Sequence, residues 1–205
     1  MHAPYGTLAS LPQPTRLWMW ITMDFITDLL VCTDKGKEVN SILVVVDRYT
    51  KMAKYLQCCK DIDTPELVNL LFDKIFSQYG FPMDITLDHS VVFTSNYWLQ
   101  LCYHMQIKRN LSTVYHPQTD GQMEVQNQTL EMYLCLYCNY CQDDWVDWLP
   151  YVEFAYNNSV QSSTGETPFY VLMGYHPHWV NEIYSDLVLD EALVPSCRAK
   201  MLHTM

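Results

Sequence analysis

The stretch Ile42-Leu43-Val44-Val45-Val46 is the longest purely aliphatic run in the chain and decides the class of fold. Its β-branched residues and its short length predict a strand that is buried on both faces of a sheet. The segments Trp18 to Leu30 and Lys51 to Cys59 also have the composition of strands, and the polar segment Asp34 to Asn40 predicts a turn. We therefore expect the three strands to form an antiparallel meander.

Helices and further strands follow the meander. Thr64-Pro65-Glu66 offers an N-cap, a proline at the first helical position and an acid in the first turn, and Gly80 ends that helix. Asp84 to Leu87 and Ile107 to Ser112 predict two more strands, separated by an amphipathic helix over Thr94 to Met105.

The second half of the chain is predicted to be mainly helical. Thr119-Asp-Gly-Gln122 matches a capping box at the start of the longest helix, and Asp144 to Asn157 predicts another helix. The order βββαβαβαα predicts an α/β fold, with a mixed five-stranded sheet flanked by helices. We place the domain at residues 18–160, after an extended lead-in over residues 1–17 and before a less regular extension over residues 161–205.

Composition limits the class of protein. With 205 residues, of which 49% are hydrophobic and 17% charged, the chain has the profile of one globular domain. No aliphatic run is long enough to span a bilayer, and residues 1–10 lack the pattern of a secretory signal, so we expect neither membrane insertion nor secretion. The eight cysteines show no paired framework, which suits a reducing compartment.

The charge is unevenly distributed along the chain. The net charge is −11, and residues 110–205 contain only two basic residues, Arg198 and Lys200, against twelve acids. Residues 1–109 have ten basic and eleven acidic residues. Because phosphate binding needs cationic side chains, composition alone argues against a nucleic-acid partner.

Three acids stand out by their placement. Asp24 interrupts an apolar strand, Asp88 follows the short strand that ends at Leu87, and Glu124 lies beside the apolar stripe of the long helix, on one face with Asn127 and Glu131. Converging carboxylates repel one another unless they bind a cation, and oxygen ligands select Mg²⁺ or Mn²⁺. The alternative is structural, with Asp24 capping a turn and Asp88 lying in a loop.

Other chemistry-bearing residues give weaker patterns. Cys135, Cys138 and Cys141 have the spacing of an iron–sulfur motif, but they lack the fourth cysteine and diverge on one helix, so they are interpreted as core or surface thiols. His116 precedes Pro117 and is interpreted as a loop contact that shapes the entry to the helix.

Six motifs follow one another along the chain. They are Thr22-Met-Asp-Phe-Ile-Thr27, Ile42-Leu-Val-Val-Val-Asp-Arg48, Thr50-Lys-Met-Ala53, Tyr115-His-Pro-Gln-Thr-Asp-Gly-Gln122, Asn127-Gln-Thr-Leu-Glu131 and Glu153-Phe-Ala-Tyr-Asn-Asn-Ser159. In this order they resemble the integrase catalytic core of gypsy-type LTR retrotransposons, which belongs to the retroviral integrase superfamily. The segment just before Glu124 is the most specific of them.

The resemblance implies an RNase H-like fold and a catalytic, metal-binding triad of Asp24, Asp88 and Glu124. In the family 35 residues separate the last two acids, as they separate Asp88 from Glu124 here. The implied function is a polynucleotidyl transferase that processes the 3′ ends of the element's DNA and joins them to target DNA, with two Mg²⁺ or Mn²⁺ ions. Asp47 is the nearest rival carboxylate, and in the family it belongs to the end of a structural strand.

The resemblance also implies partners and a location. We expect DNA as substrate, a homo-oligomer, a nuclear location, and His116, Gln118 and Asn127 as DNA contacts or supports of the site. The family's zinc-binding and C-terminal modules have no counterpart in these residues, so we expect accessory DNA contacts from another chain.

Where the family usually has arginine, this chain has Val125 after Glu124 and His178 in His176-Pro-His-Trp179. The alternative function is therefore a non-catalytic remnant that folds and self-associates.

Overall fold

A computed structural model describes residues 14–34, 36–87, 90–111, 127, 130, 131, 134, 138 and 144–178. These residues form a five-stranded sheet with the strand order β5-β4-β1-β6-β7. Strand β1 is antiparallel to β4 and parallel to β6, so the sheet is mixed, as predicted. The five strands are β1 (Trp20–Ile26), β4 (Ser41–Asp47), β5 (Ala53–Cys58), β6 (Asp84–Leu87) and β7 (Lys108–Leu111).

Strand β4 is buried on both faces along its whole length, which confirms the prediction from its aliphatic run. Leu43 and Val45 belong to the hydrophobic cluster on one face of the sheet, and Ile42, Val44 and Val46 belong to the cluster on the other. The alternation follows from the two-residue period of a strand. The predicted antiparallel meander is confirmed as well, with β4 paired to both β1 and β5.

The segment between β1 and β4 is not the simple turn that its polar composition predicts. It contains a small antiparallel hairpin of β2 (Cys32–Asp34) and β3 (Lys37–Val39). Cys32 and Val39 pair with each other at the base of the hairpin, and both side chains are buried. These two apolar side chains stabilise the hairpin, whose other paired residues are polar. Gly36 has φ +81°, the left-handed conformation that the tight connection requires.

Helix α1 (Thr64–Leu71) begins one residue earlier than the sequence predicts. The N-cap is Asp63, not Thr64, because the Asp63 carboxylate accepts the N–H of Glu66 at 2.8 Å. The helix continues through a π-helical turn (Phe72–Phe76) and a last turn (Ser77–Tyr79), and it ends at Gly80 as predicted. Its buried residues Leu67 and Leu71 pack into the cluster on the β4 face that contains Leu43 and Val45.

The remaining described helices largely match the prediction. The helix predicted over Thr94 to Met105 is α3 (Asn96–His104), which Ser95 caps by accepting the N–H of Trp98 at 3.2 Å. A short helix that the sequence analysis did not predict, α2 (Val91–Thr94), precedes it. Helix α4 (Trp145–Asn157) agrees with the prediction for that segment, and α5 (Pro168–Met173) follows it. No helix in the described parts of the chain is long and apolar enough to cross a membrane.

Most of the predicted long helix lies outside the described residues. Within it, Asn127, Leu130, Glu131 and Leu134 are helical. Leu130 and Leu134 are buried in the cluster that contains Ile42, Val44 and Val46, so this helix covers that face of the sheet. The domain boundaries at residues 17 and 160 stay predictions.

The turn between β4 and β5 is built around Asp47, whose side chain is fully buried. One carboxylate oxygen accepts the N–H of Tyr49 at 3.2 Å, and the other accepts the N–H and the hydroxyl of Thr50 at 3.1 and 2.7 Å. Burial raises the pKa of Asp47, and the hydrogen bonds from Thr50 and Tyr49 offset only part of that effect. Asp47 is therefore a structural carboxylate, as the resemblance implied.

We expect Asp47→Asn to lower the free energy of unfolding by about 1–3 kcal/mol at neutral pH, because the amide leaves a buried donor without an acceptor. The pKa of Asp47 is higher in the folded protein than its ordinary value of 3.8. The free energy of unfolding of the wild type therefore falls as the pH rises from 3.8 through the folded-state pKa, because ionisation of the buried carboxyl destabilises the fold. The difference between wild type and Asp47→Asn should therefore grow on acidification toward pH 4. Urea unfolding at a series of pH values checks this, and a difference independent of pH would contradict it.

Candidate functional site

Asp24 lies in the middle of β1, the central strand of the sheet. It pairs with Val44 of β4 and is half-buried. One of its carboxylate oxygens, Oδ1, accepts the N–H of Phe25 at 2.9 Å. The interpretation of Asp24 as the cap of a turn is wrong, because the residue belongs to regular strand. A carboxylate at this depth requires polar partners or a cation.

Asn127 supplies one such partner from the helix that covers the sheet. Its Nδ2 donates to Asp24 Oδ2 at 2.7 Å. Asn127 reaches Asp24 because Leu130 and Leu134, three and seven residues later, anchor the same side of the helix in the core. The structure thus brings together two of the residues that the sequence predicted for the site.

The other amide atom of Asn127, the carbonyl oxygen Oδ1, is buried. It has no hydrogen-bond partner among the residues that the structure describes. A buried carbonyl oxygen without a donor is costly, and a cation or a metal-bound water would satisfy it. The Asn127 carbonyl and the Asp24 carboxylate are both oxygen donors, the type of group that Mg²⁺ and Mn²⁺ prefer.

Strand β6 ends beside Asp24. The parallel register pairs Leu87, its last residue, with Met23, the residue before Asp24. The next predicted site residue, Asp88, lies outside the described residues, as do Glu124, His116 and Gln118. For these four residues the roles in the site stay predictions.

Metal binding by cysteine finds no support in the described residues. Burial raises the pKa of Cys58 to about 12 and that of Cys102 to about 11, so both thiols are protonated at neutral pH. Cys138 is half-buried, and Cys135 and Cys141 lie outside the described residues. In the described part of the chain, no three His, Cys, Asp or Glu side chains are grouped so that they could hold a metal ion.

Two polar residues of α4 bind the open edge of β5, a contact that the sequence analysis did not predict. Asn157 Oδ1 accepts the N–H of Ala53 and its Nδ2 donates to the carbonyl of Ala53, both at 2.9 Å. Glu153 Oε2 accepts the N–H of Tyr55 at 2.9 Å. The spacing of Glu153 and Asn157, four residues apart in a mostly apolar helix, is the one signal that could have indicated it.

Glu153 also forms an ion pair with the β5 residue Lys54, in which Oε1 and Nζ are 2.7 Å apart. Burial by itself would lower the pKa of Lys54, but the charge and the hydrogen bond of Glu153 outweigh burial and raise it. Lys54 is therefore charged at neutral pH. The pair fixes α4 along the strand at the edge of the sheet that is farther from β6.

Comparison with known proteins gives relatives in sequence and in structure. The chain is 36% identical over 176 residues to the Tf2-3 and Tf2-4 transposon polyproteins of Schizosaccharomyces pombe, an alignment that covers 86% of this chain. It spans only 13% of the length of those polyproteins. No family model matches the sequence.

Two solved structures share the fold. A chain of the simian T-cell lymphotropic virus intasome, solved with PP2A regulatory subunit B56 gamma, superposes with a TM-score of 0.61 at 16% identity, covering 83% of this chain and 61% of that one. The catalytic core domain of BIV integrase superposes with a TM-score of 0.57 at 16% identity, covering 83% and 99%. The predicted RNase H-like fold is thereby confirmed.

Proposed function

This chain is a homologue of retrotransposon polyproteins and has the fold of an integrase catalytic core, and from that premise we propose that it is a metal-dependent polynucleotidyl transferase. Its reactions would be the processing of the 3′ ends of the element's DNA and their transfer to target DNA. The catalytic groups would be Asp24, Asp88 and Glu124.

The hydrogen bond between Asn127 and Asp24 is the observation that carries the proposal. It joins the central strand to the helix that contains Asn127, and Glu124 precedes Asn127 by three residues in the sequence. Residues three apart in a helix lie on the same side, about one turn from each other. If the helix extends to residue 124, the Glu124 carboxylate faces the same end of β1 as Asn127 does.

The register of β6 supports the role of Asp88. Leu87, the residue before Asp88 in the sequence, pairs with Met23, the residue before Asp24. Strand β6 thus ends beside β1 at the carboxyl end of a parallel strand, where open α/β sheets bind ligands. This register supports the proposal that Asp88 acts together with Asp24.

The ligands implied by the family fit the oxygen chemistry of the described part of the site. Asp24, Asp88 and Glu124 would hold two Mg²⁺ or Mn²⁺ ions, and such ions stabilise the attacking and leaving oxygens of a phosphodiester displacement. Asn127 would orient the Asp24 carboxylate, since its amide holds Oδ2 at 2.7 Å. The backbone of Asp24 pairs with Val44 of β4, and β6 pairs with β1 up to Met23, the residue before Asp24.

DNA, a second copy of the chain and a nuclear location belong to the same proposal. They follow from the function and from no separate feature of the described residues. The absence of Lys and Arg between Asn110 and Cys197 opposes strong DNA binding by that half of the chain. It favours the second candidate function, a folded remnant without catalytic activity.

A disintegration assay with Mn²⁺ separates the two functions. The substrate is a branched DNA that mimics the strand-transfer product, and Glu124→Gln is the matched control, since it removes one charge and keeps the size of the side chain. We expect release of the element end by the wild type and none by Glu124→Gln. No release by either protein, or equal release by both, would leave the remnant as the function.

A further inference from the structure

The turn between β4 and β5 presents two cations and two aromatic rings on one surface. The Arg48 guanidinium lies 5.3 Å from the centre of the Trp20 ring. The backbone N–H of Arg48 donates to the backbone carbonyl of Trp20 at 2.9 Å. Tyr49, next along the turn, is exposed, and Lys51 is half-exposed. We name these four residues, Trp20, Arg48, Tyr49 and Lys51, the basic turn.

The basic turn is rigid, because the buried carboxylate of Asp47 accepts hydrogen bonds from Tyr49 and Thr50. The Lys51 N–H donates to the Asp47 carbonyl at 2.9 Å, and Lys51 has φ +65°, a left-handed conformation that costs a non-glycine residue about 1 kcal/mol. The fold thus tolerates backbone strain that fixes the direction of a lysine beside an arginine.

The two cations repel each other. Burial lowers the pKa of Lys51, and the nearby charge of Arg48 lowers it further, while Asp47 opposes this with a smaller effect. Like charges that a rigid turn holds together attract an anion that can contact both of them.

The acids near the basic turn face inward. Asp47 is fully buried, and Asp84, the cross-strand neighbour of Trp20, is 7% exposed, with both carboxylate oxygens bound by Asn110 Nδ2 at 2.6 and 2.7 Å. Lys108, the next residue across the sheet from Asp84, is exposed. Among these neighbours of the basic turn, the charges that reach solvent are therefore cationic.

We propose that the basic turn binds the phosphodiester backbone of DNA, an inference that rests on the proposed function. Arg48 and Lys51 would contact phosphates, and the exposed ring of Tyr49 would pack on the sugar or a base, contacts that are independent of sequence. A free phosphate would satisfy the same cations but would gain nothing from Tyr49, so the aromatic ring favours a nucleic acid.

The distance from the candidate active site fits a single DNA. Trp20 and Asp24 are four residues apart on the same side of β1, which is about 13 Å along the strand. B-DNA rises about 3.4 Å per base pair, so this distance corresponds to about four base pairs.

The test measures DNA affinity by fluorescence anisotropy, with a labelled duplex, as a function of NaCl concentration. The variant is Arg48→Gln/Lys51→Gln, and the matched control is Lys37→Gln/Lys74→Gln, which removes the same charge at exposed positions elsewhere. Losing two phosphate contacts should reduce the slope of log K against log salt by about 1.8 and weaken binding at 0.1 M salt by roughly 10- to 60-fold. The control should bind like the wild type, as should the charge-preserving variant Arg48→Lys/Lys51→Arg.

Equal losses in the variant and the control would overturn the inference, because affinity would then depend on net charge and not on the turn. The inference would also be overturned if the wild type bound inorganic phosphate as tightly as it binds the DNA duplex. The proposed function fails separately, if the wild type binds DNA through the basic turn but releases no element end in the Mn²⁺ assay. A wild type that releases ends while the variant binds DNA normally would overturn the inference alone.

Discussion

Asp24→Asn is expected to abolish metal-dependent DNA cleavage and joining, with a loss of at least roughly 10³-fold in rate. The substitution removes one charge from the metal-binding set, and an ion in such a site lowers the barrier by several kcal/mol, each 1.4 kcal/mol of which is a factor of ten. The introduced amide would still accept the Phe25 N–H through its carbonyl oxygen, so the strand itself should be unaffected. The measurement is the rate of end release in the Mn²⁺ disintegration assay.

The control for this prediction is Asp73→Asn, which makes the same change at an exposed position of the π-helical turn. It should keep the wild-type rate. Thermal unfolding of Asp24→Asn should stay within a few degrees of the wild type. With its oxygen on the Phe25 N–H, the introduced amide can donate through its nitrogen to Asn127 Oδ1 once the Asn127 amide turns over. Activity of Asp24→Asn at the level of Asp73→Asn would remove Asp24 from the catalytic groups.

The central part of the fold could be predicted from local patterns. The aliphatic run at 42–46 requires a strand with both faces of the sheet covered. The helix that ends at Gly80 could be predicted even though a π-helical turn interrupts it after Leu71. Asp24 was recognised because a carboxylate in an apolar strand is costly without partners. Its contact with Asn127 joins residues 103 positions apart, and the sequence indicated it only through the helical spacing of Asn127 and Glu131.

The missed features depend on the geometry of neighbouring elements. Asp63 and Thr64 are both good N-caps, and only the extended backbone of Asp63 decides between them. The hairpin of β2 and β3 is stabilised by the burial of Cys32 and Val39, which a window of polar residues hides. The contact of Glu153 with Tyr55 joins residues 98 positions apart in the sequence, and the sequence around Glu153 contains no signal that a strand edge lies beside it.

Asn157→Ala is expected to lower the free energy of unfolding by about 3 kcal/mol, a large part of the roughly 5–15 kcal/mol of a typical domain. Asn157 is fully buried, and its amide pairs with both the N–H and the carbonyl of Ala53, as a neighbouring strand would. Alanine leaves those two backbone groups buried without partners, at about 1–3 kcal/mol each. Denaturant unfolding gives the change in stability directly.

The same variant should also associate through the edge of β5. An unpaired strand edge is a template for another chain, and Asn157 and Glu153 together occupy the N–H and the carbonyl of Ala53 and the N–H of Tyr55. Asn158→Ala is the matched control, since it truncates the adjacent asparagine beyond the end of α4. We expect Asn157→Ala to form concentration-dependent oligomers in sedimentation velocity and to lose hydrogen-exchange protection at Ala53, while Asn158→Ala does neither. Equal stability and equal protection in the two variants would mean that α4 covers the edge by its apolar contacts alone, with Trp145, Leu149 and Val152 holding the helix in place.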